Sequence, residues 1–226
     1  MTPDDLPAAF ASLPEAWARA LPGWTPERCQ AVVQRVQAVS ANRPIAPDDP
    51  FRALRLTAPQ DVKVVVFGQD PYPTAGHADG LAFSAQSGKP ASLRRIFAVL
   101  AADRPGFKPP QRWMLDDWAR QGALLLNPTL TVEVGCIGSH LDCGWQALTS
   151  QIAQYLHERE DPPAFLLWGS KAQAFFDQAI RAPRPEVPVW RSRHPSNDFY
   201  KLFMAEGSHF MATADRIDWW ALGEGR

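Results

Sequence analysis

Four short apolar runs, at residues 62–67, 123–126, 165–168 and 187–190, set the rhythm of the chain. Each is almost unbroken in β-branched, leucine or aromatic residues, which predicts strands buried on both faces. Between them apolar residues recur at helical spacing. The clearest case is 92–102, with Leu93, Ile96, Phe97 and Leu100 on one face; 115–121, 145–156 and 172–180 follow. Alternation of this kind predicts an α/β fold, a three-layer α/β/α sandwich around a central, mostly parallel four-stranded sheet. Upstream the pattern differs. Eight of the 22 prolines fall in the first 50 residues, Thr25-Pro26 is a helix start signal, and Cys29, Val32, Val33, Val36 and Val39 form one apolar stripe. Residues 1–50 therefore read as a helical cover on an α/β core of residues 51–226. No linker separates the two, so 1–226 reads as one domain.

Composition narrows the function classes. With 46% apolar and 21% charged residues in 226, the chain fits an ordinary globular domain. Its 23 Lys plus Arg against 24 Asp plus Glu leave a net charge of −1, so any nucleic-acid binding must come from a local patch. Three cysteines without a CxxC pair argue against a disulfide framework and against thiolate clusters, and favour a reducing cytoplasm. An acidic amino-terminal stretch and the lack of any apolar run near 20 residues predict a protein neither exported nor membrane-embedded.

The residues that follow each predicted strand carry the chemistry. The first run ends in Gly68-Gln69-Asp70-Pro71-Tyr72, the second in Asn127-Pro128-Thr129, the third in Gly169-Ser170 and the last in Arg193-His194-Pro195-Ser196. Open α/β sheets bind ligands beyond the carboxyl ends of their strands, so these segments should meet at one cleft. Taken singly, Asp70 and Asn127 read as turn formers and His194 as a structural histidine; the conjunction shifts that balance. Several chemistries lack their motifs: there is no GxxxxGK[ST], GxSxG, HExxH, HxE…PCxxC or GxGxxG pattern. A metal-free and cofactor-free site of Asp, Asn and His remains.

The stretch Val64-Val65-Val66-Phe67-Gly68-Gln69-Asp70-Pro71-Tyr72, with Gly80-Leu81-Ala82-Phe83-Ser84, resembles the first signature of the family 1 uracil-DNA glycosylases. Trp118 to Asn127, with Leu130-Thr131-Val132, Ser139-His140 and Gly144-Trp145, resembles the second block. Leu166 to Gln173 resembles the third, and His194-Pro195-Ser196, His209-Phe210 and Ile217-Asp218-Trp219 the last. The resemblance implies a monomeric repair enzyme that extrudes uracil from single- or double-stranded DNA and hydrolyses its glycosidic bond. It further implies Asp70 and His194 as catalysts, a backbone N–H from Gln69 on uracil O2, Phe83 stacked on the base, Asn127 on its pairing edge and Tyr72 against C5. Ser92, Gly169, Ser170 and Ser196 would grip phosphates. Lys89, Arg94, Arg95, Lys171, Arg191 and Arg193 would form a positive strip beside them, and a proteinaceous uracil-glycosylase inhibitor is an expected partner.

Three positions depart from the commonest family pattern. Pro73 replaces a histidine, and Glu133 stands where a basic residue often follows Thr-Val, which should weaken DNA attraction. Asn197-Asp198-Phe199 replaces Pro-Leu-Ser, so an aspartate occupies the place of the leucine wedge and should repel phosphates. Either Phe199 takes over as wedge or single strands are preferred. The competing readings are a specificity-shifted relative, opposed by Tyr72, Phe83 and Asn127; a non-catalytic uracil-DNA or abasic-site binder, opposed by Asp70 and His194; and a small-molecule α/β hydrolase, for which no activated nucleophile is present.

Overall fold

The computed structural model describes residues 1–198 and 200–223. In chain order the strands are β1 (Ile45–Ala46), β2 (Val64–Phe67), β3 (Ala123–Leu126), β4 (Val132–Glu133), β5 (Ala164–Trp168) and β6 (Val189–Ser192). The helices are α1 (Leu6–Ala11), α2 (Glu15–Ala20), α3 (Pro26–Ser40), α4 (Arg52–Leu56), α5 (Ala91–Asp103), α6 (Asp116–Gln121), α7 (Trp145–His157), α8 (Ser170–Ala179) and α9 (His209–Ala212). The main sheet runs β3-β2-β5-β6 with every pairing parallel, Val64 lying opposite both Ala123 and Ala164 and Phe165 opposite Val189. Every residue of β2, β3 and β5 is buried, which is why these strands carry unbroken apolar runs.

Right-handed crossovers, the rule for parallel strands, assign the helices to faces. The connection from β2 to β3 carries α5 and α6 to one side. The chain then returns across β2 to β5 and on to β6, which puts α7 and α8 on the other side, where they pack on each other. β2 and β5 are thus neighbours whose following connections leave in opposite directions, and a crevice opens beyond their carboxyl ends.

The amino-terminal segment shares the core of the sheet. Leu6, Phe10, Trp17, Val32 and Val36 belong to the same buried cluster as β2 and β5. Phe10 stacks on Trp145 of α7 at 5.3 Å, and the Trp17 indole N–H donates to the Thr57 carbonyl at 3.0 Å. The helical cover expected for residues 1–50 needs one correction, because β1 pairs antiparallel with β4 (Ile45 opposite Glu133), a strand too short to show a period in sequence. The last strand also shifts by two residues from its expected place at 187–190. Pro188 has no N–H to give the ladder, and its carbonyl accepts from Phe165 N–H at 2.8 Å before β6 begins. β6 is the sheet edge and only half-buried.

Two acidic residues expected at the DNA face turn inward instead. Glu133 is buried in β4 and pairs with Arg43 at 2.7 Å. The Asp198 side chain is 3% exposed, pairs with Arg95 at 2.5 Å and accepts N–H donors from Leu202 and Phe203. Burial alone would push its carboxyl up, yet the Arg95 guanidinium and the two N–H groups together hold it below the ordinary carboxylate value. The repulsion expected from both residues therefore falls away. Phe199 lies outside the described residues.

Candidate active site

The sheet's carboxyl edge opens into a cleft of about 410 Å³, walled by the segments after β2, β3 and β6 and by the start of α5. Eight of the residues nominated from sequence line it: Gln69, Asp70, Tyr72, Phe83, Ser92, Asn127, His194 and Ser196.

Asp70 stands one turn past β2, and its Oδ2 accepts the Gly138 N–H at 3.0 Å. Burial pushes its carboxyl above the ordinary value, while the Gly138 N–H and the Gln69 side chain pull the other way. Gly138 is a contributor that sequence reading missed, since a backbone donor leaves no side-chain signal. His194, which also lines the cleft, follows β6. Its Nδ1 accepts the Ser196 backbone N–H at 3.1 Å and lies 2.8 Å from the Ser196 hydroxyl. A proton on Nδ1 would face that N–H, so the ring holds its proton on Nε2 and presents it as a donor. Burial pushes the imidazole below its ordinary value, which keeps it neutral near pH 7.

Asn127 follows β3, is 9% exposed, and its carboxamide has no hydrogen-bond partner among the described residues. Gly68 is what lets it sit there: a Cβ at that position would stand 2.3 Å from Asn127 Oδ1. Phe83 packs its ring 5.6 Å from His194 and 5.1 Å from Trp168, with a backbone φ of +65°. A left-handed conformation outside glycine costs about 1–3 kcal/mol and concentrates at functional sites. The Tyr72 hydroxyl donates to the Phe83 carbonyl at 3.0 Å and meets the Ser92 hydroxyl at 2.7 Å, so ring and backbone brace each other. Burial raises the Tyr72 phenol well above its ordinary value.

The residues nominated as a phosphate grip divide by position. The Ser92 hydroxyl is buried against Tyr72, and the Ser196 hydroxyl is spent on His194. Gly169, at φ +109°, lies behind His194, where a Cβ would come within 3.0 Å of the His194 Cβ. Ser170 is exposed at the start of α8 and lines a second groove that shares His194 with the cleft. The positive strip is narrower than expected: Arg95 and Arg191 are committed to Asp198 and Asp177, and Lys89 lies over the Trp113 ring. Arg94, Lys171 and Arg193 have no ion-pair partner among the described residues. No group of three His, Cys, Asp or Glu side chains among the described residues is placed to hold a metal ion.

Gly169→Ala should therefore act through His194. We expect destabilisation of at least about 1 kcal/mol from the positive φ and slower turnover, by roughly 10-fold to 100-fold, from the displaced imidazole. Thermal melts and single-turnover rates check the two effects separately.

A doubly wound parallel sheet with a carboxylate, a carboxamide and a neutral imidazole around a base-sized cleft is shared with a known class. Residues 55–215 match the sequence model of the Uracil DNA glycosylase superfamily, and the chain belongs to that superfamily. Within it, the uracil-DNA glycosylase of Bordetella petrii is 40% identical over 195 residues, 84% of this chain and 76% of the relative. That of varicella-zoster virus (strain Dumas) is 41% identical over 184 residues, 76% of this chain but 58% of the viral protein, so the match spans little more than half of that relative. Among solved structures, mimivirus uracil-DNA glycosylase superposes with a TM-score of 0.74 at 24% identity, covering 86% of this chain and 74% of that one, a likeness of fold. A variant of the mimivirus protein has been solved in complex with UGI.

Proposed function

We propose that this chain hydrolyses the N-glycosidic bond of uracil in DNA, releasing free uracil and leaving an abasic site, with Asp70 and His194 as its catalytic pair. The observation that carries the reading is the placement of a half-buried carboxylate and a neutral Nε2–H donor in one cleft. A glycosylase must extrude its target nucleotide, and a cleft of about 410 Å³ accepts one base.

The roles follow from the charges that develop. As the C1′–N1 bond breaks, positive charge grows on the sugar and negative charge on the base. Asp70, whose ionised form the Gly138 N–H favours, stabilises the sugar cation and orients the water whose oxygen bonds to C1′; the proton that water sheds balances the one the departing uracil anion takes up at N1. The His194 Nε2–H and the Gln69 N–H, for which no described residue supplies an acceptor, donate to uracil O2 as it becomes anionic. Neither role needs a covalent nucleophile or a metal. Phe83 stacks on the base. Asn127 donates its NH₂ to O4 and accepts from N3–H, and cytosine reverses that order, leaving buried groups unpaired. Tyr72, fixed by Phe83 and Ser92, closes the space that a thymine methyl would enter.

Substrate binding would draw on Arg94, Lys171, Arg193, the Ser170 hydroxyl and loop backbone more than on a broad positive field. With no apolar side chain at Asp198 to fill an emptied base stack, we expect single-stranded DNA to be cut faster than duplex; equal or faster release from a U·A duplex would overturn that preference. A monomer working in the cytoplasm fits the composition, and a UGI-like inhibitor would dock over the same cleft. No helix among the described residues is long and apolar enough to cross a membrane.

The test is chromatographic detection of free base from oligonucleotides carrying one dU, dT or dC. Release from dU alone supports the reading. Release from none of them, with retained binding to dU strands, would favour a non-catalytic binder.

A further inference from the structure

We propose that Asp79 is a positioning residue for Phe83, holding the base-stacking ring in its left-handed backbone conformation. The inference rests on the reading of Phe83 as the ring that meets the extruded uracil. A phenylalanine at φ +65° stays there only if its surroundings over-determine it.

Asp79 supplies that closure from both directions along the chain. Its Oδ1 accepts the Leu81 N–H at 3.1 Å and its Oδ2 accepts the Ser84 hydroxyl at 2.5 Å, so one carboxylate spans the loop from two residues before Phe83 to one after it. The Ser84 oxygen also accepts the Leu115 N–H at 3.0 Å, which ties the loop to the residue just before α6. Arg52 of α4 faces Asp79 Oδ2 at 3.3 Å and pairs on its other side with Asp116.

The Asp79 side chain is 3% exposed, and neither Asp79 nor Ser84 lines the cleft. Any effect of either on a bound base must therefore pass through the loop they shape. A buried carboxylate stays ionised only when donors converge on it, and here the donors Leu81 and Ser84 flank the strained residue.

A positioning role and a merely structural one separate by readout. Stacking is made alike in the ground state and the transition state, so losing it weakens binding more than turnover. A loss of folded protein alone lowers the active fraction and leaves binding constants where they were. The experiment measures KM on a single-stranded dU oligonucleotide, and calorimetric affinity for free uracil, for Asp79→Ala, Ser84→Ala, Phe83→Ala and the pairwise combinations with Phe83→Ala.

We expect Asp79→Ala to raise KM and the uracil Kd about tenfold, the scale of one lost aromatic stack. Ser84→Ala should shift both in the same direction by less. In the Phe83→Ala background either substitution should add less than twofold, because the ring it positions is gone. Asp79→Asn keeps one acceptor oxygen for the Leu81 N–H but sets an NH₂ against the Ser84 hydroxyl and Arg52, so it should recover only part of the loss. Unchanged KM and Kd in Asp79→Ala and Ser84→Ala, or a full tenfold effect without the Phe83 ring, would overturn the proposal. If Asp79→Ala does not fold, Ser84→Ala and its combination with Phe83→Ala decide by the same criteria. Uracil binding that depends on Asp79 in a chain releasing no uracil would sink the proposed activity and leave this inference standing.

Discussion

Asp70→Asn should slow uracil release by about 10²–10⁴-fold while leaving the fold intact. The amide is nearly the same size and can still accept the Gly138 N–H, so the backbone around it has no reason to move. What it loses is the negative charge that stabilises the sugar cation and holds the attacking water. The pH profile of the unmodified chain tests the same assignment. Burial disfavours the charged carboxylate and raises its pKa above the ordinary 3.8. Only the ionised form works, so activity should fall as pH drops through that raised value and hold steady above it. Burial lowers the His194 pKa below its ordinary 6.5, so the imidazole is neutral near pH 7. Plots of kcat/KM against pH should therefore show an acid limb to which Asp70 contributes, and that contribution should be missing from the Asp70→Asn variant.

Asn127→Asp should change which base is read. Uracil offers an acceptor at O4 and a donor at N3, matched by a carboxamide. The carboxyl introduced by the substitution is acceptor-only when ionised. When protonated, as burial at this 9% exposed position favours, it can donate to cytosine N3 and accept from the cytosine amino group. We expect uracil release to fall by at least about 10²-fold, the cost of unpaired buried polar groups, and cytosine release to rise from undetectable to measurable. Parallel assays on dU and dC strands check it, and unchanged discrimination would show that Asn127 is not the reader.

The sequence made the sheet legible because β2, β3 and β5 are buried on both faces, and double burial writes itself as unbroken apolar runs. It misplaced β6, which is only half-buried, so that polar Arg191 and Ser192 belong to it, and whose ladder Pro188 delays. It had no means to show the β1–β4 pair, since two residues carry no period. The polar residues after the strands were legible as a convergent set, because topology alone brings the ends of parallel strands to one edge. Their partners were not. Ser92 and Ser196 read as phosphate hydroxyls; the Ser92 hydroxyl also meets Tyr72, and the Ser196 backbone N–H sets the His194 tautomer while its hydroxyl lies beside the same Nδ1. Both pairings depend on tertiary distances or on a turn closing over two residues, and neither has a spacing rule. Asp198 and Glu133 misled for the opposite reason: a charge in a loop or at a strand end is ordinarily solvated, whereas here Arg95 and Arg43 draw each inward. Gly68 was legible only as part of the first signature and Gly169 only as a phosphate contact; that their lack of a Cβ admits Asn127 and His194 to their places depends on tertiary proximity.

The central claim is that Asp70 and His194 together release uracil from DNA. Single-turnover release from a single-stranded dU oligonucleotide, compared between the unmodified chain, Asp70→Asn and His194→Ala, tests it most directly. Free uracil and an abasic strand are expected from the unmodified chain, with each variant slower by about 10²-fold or more. No uracil from the unmodified chain, or variant rates equal to its own, would contradict it.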